Sequence, residues 1–258
     1  MNLRKKPYGT GSDVSLGQVK EYYDNVYYMD RGEDTCRPLS TYGVFLEYLG
    51  VRSGGLLLDI GCGAGHLLKQ GERKGLTTVG QDISEKAAGV AKKTATQSEV
   101  IVGDAHGLPF KEATFDYITV LGVLEHFLYP GIALKEMHRV CKDNGLLCIV
   151  VPNSHYLLGI IKTIRTGYSY SGTGQIHENL ATMNEWRDFL ESNGFVVSRV
   201  LQDKGPPTKP MTSCISGDRN LKHICKGIAS KLLRAIMPLV LTYQFVFILR
   251  KRTEGCCM

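Results

Sequence analysis

The chain has 258 residues, 43% of them hydrophobic, and a formal net charge of +6, enough apolar content for one large globular core. The excess positive charge is spread over Arg4-Lys5-Lys6, Lys92-Lys93 and Arg250-Lys251-Arg252, with no clustered basic surface or interleaved aromatics to stack bases, so no nucleic-acid partner is expected. The eight cysteines, at 36, 62, 141, 148, 214, 225, 256 and 257, show no metal-ligand spacing, and no bound metal is expected. The polar stretch Met1–Ser15 lacks the apolar segment of a secretory leader, so a disulfide framework is not expected and the expected compartment is the cytoplasm.

In chain order, two helical stretches come first. Leu16–Tyr28 carries Tyr22, Tyr23, Tyr27 and Tyr28, and Pro38–Gly50 follows; residues 1–50 are read as a helical cap over the sheet edge or a pocket. From Gly55 onward short apolar runs alternate with longer amphipathic segments, which predicts parallel strands joined by crossover helices. The strands are Leu56–Ile60, Thr77–Gln81, Glu99–Val102, Tyr117–Leu121, Leu146–Val151, Val196–Leu201 and Gln244–Arg250. Helices are predicted near Gly65–Lys74, Ser84–Thr96, Pro130–Cys141, Asn184–Asn193 and Asn220–Met237, with Gly75, Gly145 and Gly194 at their C-termini. Residues 51–258 therefore read as one α/β domain.

Two connections, near 152–181 and 204–240, are longer than usual and are candidate lids or substrate loops. Within them Tyr156–Ile164 and Ile228–Leu241 are apolar. Each is open to three readings: the lining of a greasy pocket, contact with a membrane surface, or core packing, which is favoured for the second. Ala235–Leu249 is uncharged, but it contains Pro238 and Gln244 and falls short of the ~20 residues of a transmembrane helix. It reads as a helix end followed by a buried strand.

The run Leu56-Leu57-Leu58-Asp59-Ile60 leads into Gly61-Cys62-Gly63-Ala64-Gly65 and then His66-Leu67-Leu68, a glycine turn between a buried strand and a helix. Such a turn lets a ligand approach the backbone, and the helix N-terminus behind it offers free N–H groups. NAD, FAD, S-adenosylmethionine and a bare tight turn are all compatible with the glycines alone.

The acids narrow the choice. Asp59, two residues before Gly61, would repel a pyrophosphate but suits a sulfonium or ammonium group. Asp82 ends the second strand about 20 residues past the glycines, where a carboxylate can accept from both ribose hydroxyls. Asp104 follows the third strand and could accept from an adenine amino group. A dinucleotide is disfavoured further because His66 stands where the third glycine of Gly-x-Gly-x-x-Gly would be.

With these residues in register, the sequence resembles the class I S-adenosylmethionine-dependent methyltransferases, and within them the small-molecule branch that includes the ubiquinone and menaquinone biosynthesis enzymes. The resemblance is carried by LLLDIGCGAGHLL at 56–68, VGQDIS at 79–84, VGDAHGLPFKEATFDYITVLGVLEHF at 102–127 and ALKEMHRVCKDNGLLCIVVPN at 133–153. It implies a doubly wound, seven-stranded, mostly parallel Rossmann-like sheet of order 3-2-1-4-5-7-6, with helices on both faces. It also implies that S-adenosyl-L-methionine is the cofactor and S-adenosyl-L-homocysteine the product.

Carried over, Gly61 and Gly63, with Cys62 between them, pass under the methionine part. Asp82 and Ile83 hold the ribose and flank the adenine, Asp104 and Ala105 face the adenine, and Leu121 and Gly122 line the methionine and methyl side. Tyr22 and Tyr23 resemble an N-terminal helix from which a tyrosine reaches the methionine carboxylate.

Methyl transfer from a sulfonium is an in-line displacement in which positioning can supply most of the catalysis, and a general base helps when the acceptor is a hydroxyl or an acidic carbon. His126 and His177 are candidate bases, His155 a further histidine near the rim, and Glu125 reads as a pocket wall or helix start. After the fourth strand Leu121-Gly122-Val123-Leu124 differs from the Asn/Asp-Pro-Pro-aromatic pattern of base amino methylation. The expected partner is thus a small-molecule acceptor, with an apolar one open. The alternative is a cofactor-binding domain that acts as a sensor or scaffold without transferase activity.

Overall fold

The computed structural model describes residues 14–28, 37, 39–168, 175–203 and 238–252. Seven strands form one sheet of order β3-β2-β1-β4-β5-β7-β6: β1 Leu56–Ile60, β2 Thr77–Asp82, β3 Glu99–Val102, β4 Phe115–Leu121, β5 Cys141–Pro152, β6 Phe195–Gln202 and β7 Gln244–Lys251. All pairings from β3 to β5 are parallel, and β7 runs antiparallel to both β5 and β6. The doubly wound order expected from the sequence is therefore the observed one.

The sheet splits its strand residues between two cores, as the period of two requires. Leu147, Ile149 and Val151 of β5 and Phe245, Phe247 and Leu249 of β7 enter the larger core, together with Ala133, Leu134 and Met137 of helix α5 (Pro130–Val140) and Trp186 and Leu190 of α7 (Met183–Ser192). Cys148, Val150, Val246 and Ile248 face the other side, against Phe45, Leu46 and Leu49 of α2 (Leu39–Leu49) and Leu67 of α3 (His66–Arg73). A third cluster joins Leu68 of α3 to Ala88 and Ala91 of α4 (Glu85–Thr94). Both faces buried explains why β5 and β7 read as unbroken apolar runs.

The N-terminal stretch is more varied than the single helix expected. Helix α1 (Leu16–Tyr22), opened by a capping box between Ser15 and Gln18, runs into a π-helical turn over Tyr23–Tyr27. Its rings form a ladder, with centroid separations of 5.4 Å for Tyr22–Tyr23, 5.3 Å for Tyr23–Tyr27 and 5.1 Å for Tyr27–Tyr28.

Two expectations are corrected. Gly145 does not end a helix. Cys141 already has extended backbone (φ −76°, ψ 135°), and Gly145 lies inside β5, where a Cβ would come within 2.5 Å of Cys141 Sγ. Close approach, and not a left-handed turn, calls for glycine there. The segment after β5, read as a loop, contains helix α6 (Leu157–Thr166), closed by Gly167 at φ 71°. Leu158 and Ile164 on α6 are exposed, so this apolar stretch is not wholly core. The helix expected at Asn220–Met237 lies outside the described residues.

Candidate cofactor and acceptor site

The glycine loop follows the carboxyl end of β1 and meets the end of β2 and the turn after β4, while β3 ends beside β2. Gly61 and Gly63 have φ of 69° and 52°, values that side chains rarely adopt. A Cβ on Gly61 would press to 2.6 Å from both γ carbons of Val123, and one on Gly63 would stand 3.2 Å from the Tyr28 hydroxyl. The loop is fastened to the neighbouring strand by Gly61 N–H and Cys62 N–H, which both donate to the Gln81 carbonyl at 2.7 and 3.0 Å. Behind it α3 begins at Gly65 without a side-chain cap, leaving first-turn N–H groups for a ligand.

Asp82 is buried, and its carboxylate accepts from Gly63 N–H and Ser84 N–H, each at 2.9 Å. Burial pushes its pKa up to about 6 against the pull of those bonds. Asp59, 4% exposed, accepts from Thr119 Oγ1 at 2.6 Å, and burial raises it to about 7. Two buried carboxyls beside one loop, both raised by burial, favour a cationic ligand, because a nearby positive charge lowers the cost of ionising them.

Asp104 Oδ1 receives His106 N–H at 3.1 Å and lies 2.5 Å from His106 Nδ1, with 34% of its side chain exposed. His106 Nε2 accepts from Tyr129 N–H at 3.3 Å, so the ring braces Asp104 against the start of α5. Ala105 is buried beside Asp104, and Ile83 is half-buried after Asp82. These residues fit an adenosyl group: acids at the ends of β2 and β3, beside a loop whose backbone conformation favours glycine.

The N-terminal segment closes over this cleft. Ser84 Oγ donates to Asp24 Oδ1 at 2.6 Å, and Lys20 reaches Glu85 at 2.6 Å, which docks the segment on the start of α4. Tyr22 and Tyr23 were the tyrosines singled out in the sequence; the structure brings a third, Tyr28, to the glycine loop, one π turn further on. Tyr23 instead points its hydroxyl at Gln175 Oε1, 2.9 Å away. Burial raises both phenols well above their usual value, with Asp82 adding to each and Glu125 to Tyr23. The wide turn is what shifts the register, and spacing alone does not reveal it.

On the far side of Gly122 the site changes character. Leu121 is half-buried at the end of β4, and Gly122 N–H donates to the Val150 carbonyl at 2.9 Å. Val123 leads into a 3-10 turn, Leu124–His126, all three residues of which are buried. His126 Nδ1 contacts the His177 carbonyl at 2.6 Å, and burial lowers its pKa to about 4, so the ring is a neutral donor holding the segment after β5. His177 is half-buried, its Nε2 3.2 Å from Asn179 Nδ2, and burial lowers its pKa as well. His155 is exposed beside Ser154.

Glu125, read from the sequence as a pocket wall or helix start, and Arg37, which the sequence left unassigned, complete this side. Glu125 is 3% exposed and burial raises it to about 8. Arg37 donates to Gln244 Oε1 at 2.7 Å and pairs with Asp203 Oδ2 at 2.6 Å, both ionic side chains being about nine-tenths buried. The one sequence signal for Glu125 was a carboxylate inside an otherwise apolar run just past a buried strand. Further along the sheet edge a cavity of about 250 Å³ is lined by Asn153, His155, Thr182, Met183, Asn184, Val240 and Leu241. The ends of both long connections meet there. Among the described residues no group of His, Cys, Asp and Glu is placed to hold a metal, and no helix is long and apolar enough to cross a membrane.

A doubly wound sheet carrying a glycine loop and three strand-end acids defines an adenosyl-cofactor domain. Residues 58–149 match the family described as a methyltransferase domain. A demethylmenaquinone methyltransferase of Thermotoga maritima is 32% identical over 161 residues, which cover 55% of this chain and 70% of that one. An uncharacterized protein of Methanocaldococcus jannaschii is 40% identical over 118 residues, 45% of each chain. The chain spans about half the length of most of the curated relatives it matches. Among solved structures, a phosphoethanolamine N-methyltransferase of Haemonchus contortus, in complex with phosphomonomethylethanolamine and S-adenosylhomocysteine, superposes with a TM-score of 0.65 at 19% identity. That match covers 94% of this chain and 61% of the other. The chain belongs to the class I S-adenosylmethionine-dependent methyltransferases.

Proposed function

We propose that the protein moves a methyl group from S-adenosylmethionine to a small-molecule acceptor. The observation that carries this reading is the arrangement of Asp59, Asp82 and Asp104 at the ends of β1, β2 and β3 beside a loop turned at positive φ at Gly61 and Gly63. The bound cofactor would supply an already activated methyl group. Asp82 and Ile83 would hold its sugar, Asp104 and Ala105 its base, and the glycine loop with Tyr28 its amino-acid end. What remains for the protein is to align the acceptor and exclude water, which can account for much of the rate. The N-terminal segment is placed for the second task, since it is tied to α4 by Asp24 and Lys20.

The acceptor side combines the Glu125 and Arg37 cluster with apolar walls from Leu121, Val123 and Phe127, and the name of the Thermotoga relative is consistent with an apolar acceptor. A labelled-methyl assay over a metabolite extract, with products identified by mass, tests the reading. Label is expected to leave the cofactor for a small molecule. Binding of S-adenosylhomocysteine without label leaving the cofactor for any component would favour a sensor or scaffold instead.

A further inference from the structure

Glu125 differs from every other buried acid of the site. Asp59 and Asp82 each accept hydrogen bonds from other residues, whereas the Glu125 carboxyl is met only by its own backbone N–H and its Oε2 is buried with no hydrogen-bond partner. Its Oε1 lies 3.7 Å from where a Cβ on Gly122 would stand, so the carboxyl faces the end of β4, the methyl side. His126 Nε2 is 3.9 Å from Oε1, too far for a hydrogen bond, and the ring is neutral. The charged and titratable groups around it are Glu178, Arg37, Tyr23 and His126; the first opposes its ionisation, Arg37 assists it, and Tyr23 senses it. A buried carboxyl oxygen left unbonded is costly unless a ligand meets it.

We propose that Glu125 is the proton acceptor of the transfer step, and that the positive charge of S-adenosylmethionine switches it to the carboxylate form on binding. This rests on the methyltransferase reading above. In the step, the acceptor X–H forms an X–C bond as the C–S bond breaks, the C–S electron pair stays on sulfur as a neutral thioether, and the X–H proton passes to Glu125. With the sulfonium charge gone, burial favours the protonated acid, as in the empty site. One proton leaves Glu125 when the cationic cofactor binds, and one returns from the acceptor.

The test needs no acceptor: S-adenosylmethionine and S-adenosylhomocysteine are titrated by calorimetry in buffers of different ionisation enthalpy at about pH 7.5, where Asp59 is already mostly ionised. The wild type should release roughly half a proton or more in excess with the cationic ligand, and Glu125→Gln should lose most of that excess while binding the neutral ligand within about threefold. An unchanged excess in the variant, or none in the wild type, overturns the proposal while leaving the cofactor reading intact. Binding of neither ligand by the wild type overturns both. Should Glu125→Gln fail to fold, the wild type alone decides. Its affinity for the cationic ligand, relative to the neutral one, should climb with pH through about 8, and a flat ratio overturns the proposal.

Discussion

The carboxylate of Asp82 accepts the N–H of Gly63 at 2.9 Å, across the gap between β2 and the loop that follows β1. The acid proposed to hold the ribose is thus also a brace for the backbone proposed to pass under the methionine part. On that reading, cofactor affinity and loop shape depend on the same side chain.

The glycine loop gives a steric prediction. Gly61→Ala meets Val123 at 2.6 Å and adopts φ 69°, which should cost about 1–3 kcal/mol of stability from overpacking and left-handed backbone. Adding Val123→Ala should recover the overpacking part and leave the backbone part. Denaturant titration of the two single variants and the double variant measures this, and strict additivity would show that the two sites do not touch.

Asp59 gives a pH prediction. Its carboxyl is raised from 3.8 to about 7 in the folded protein, so the native state holds a proton that the unfolded chain has lost between those values. Stability from this group is full below about pH 4 and is lost as pH rises through about 7. Asp59→Asn should therefore raise the ligand-free melting temperature at pH 8, by an amount equivalent to about 1–3 kcal/mol, and leave it unchanged near pH 4. A gain that does not depend on pH would contradict the assignment.

His126 gives the opposite slope. Its pKa is lowered to about 4 by burial, so its contribution is present above about 6.5 and disappears as pH falls through about 4. His126→Ala should cost about 1–3 kcal/mol through the lost bond to the His177 carbonyl. Stability curves at pH 7.5 and pH 4 would show the cost shrinking at the lower pH.

Tyr28 is predicted to grip the ligand through its hydroxyl, beside Gly63. Tyr28→Phe should weaken S-adenosylhomocysteine binding by about threefold to tenfold, and Tyr22→Phe by less. Equal losses in the two variants would return the assignment to the helix as a whole.

The central strands were legible because they are buried on both sides and punctuated by glycine or polar turns, and the acids because they stand at strand ends. Tyr28 was not separable from Tyr22 and Tyr23, since a π turn adds a residue that periodicity does not reveal. Helix α6 was hidden by its composition: Leu157–Thr166 follows a Pro-Asn-Ser-His turn and carries β-branched residues, so local propensity argued for a loop. Gly145 misled because a glycine after a helical stretch signals a left-handed cap, whereas here it makes room for Cys141. Glu125 was legible only as a pocket wall or helix start, because its further significance lies in what fails to contact it, and no sequence pattern encodes an empty place.

The account rests on the strand-end acids binding an adenosyl ligand, and calorimetric titration of S-adenosylhomocysteine into the wild type and Asp82→Ala tests it most directly. Single-site binding by the wild type and a loss of about 10–100-fold in the variant are predicted, the size expected for hydrogen bonds to a charged group. Equal affinity in the two proteins, or no heat in the wild type, would contradict it.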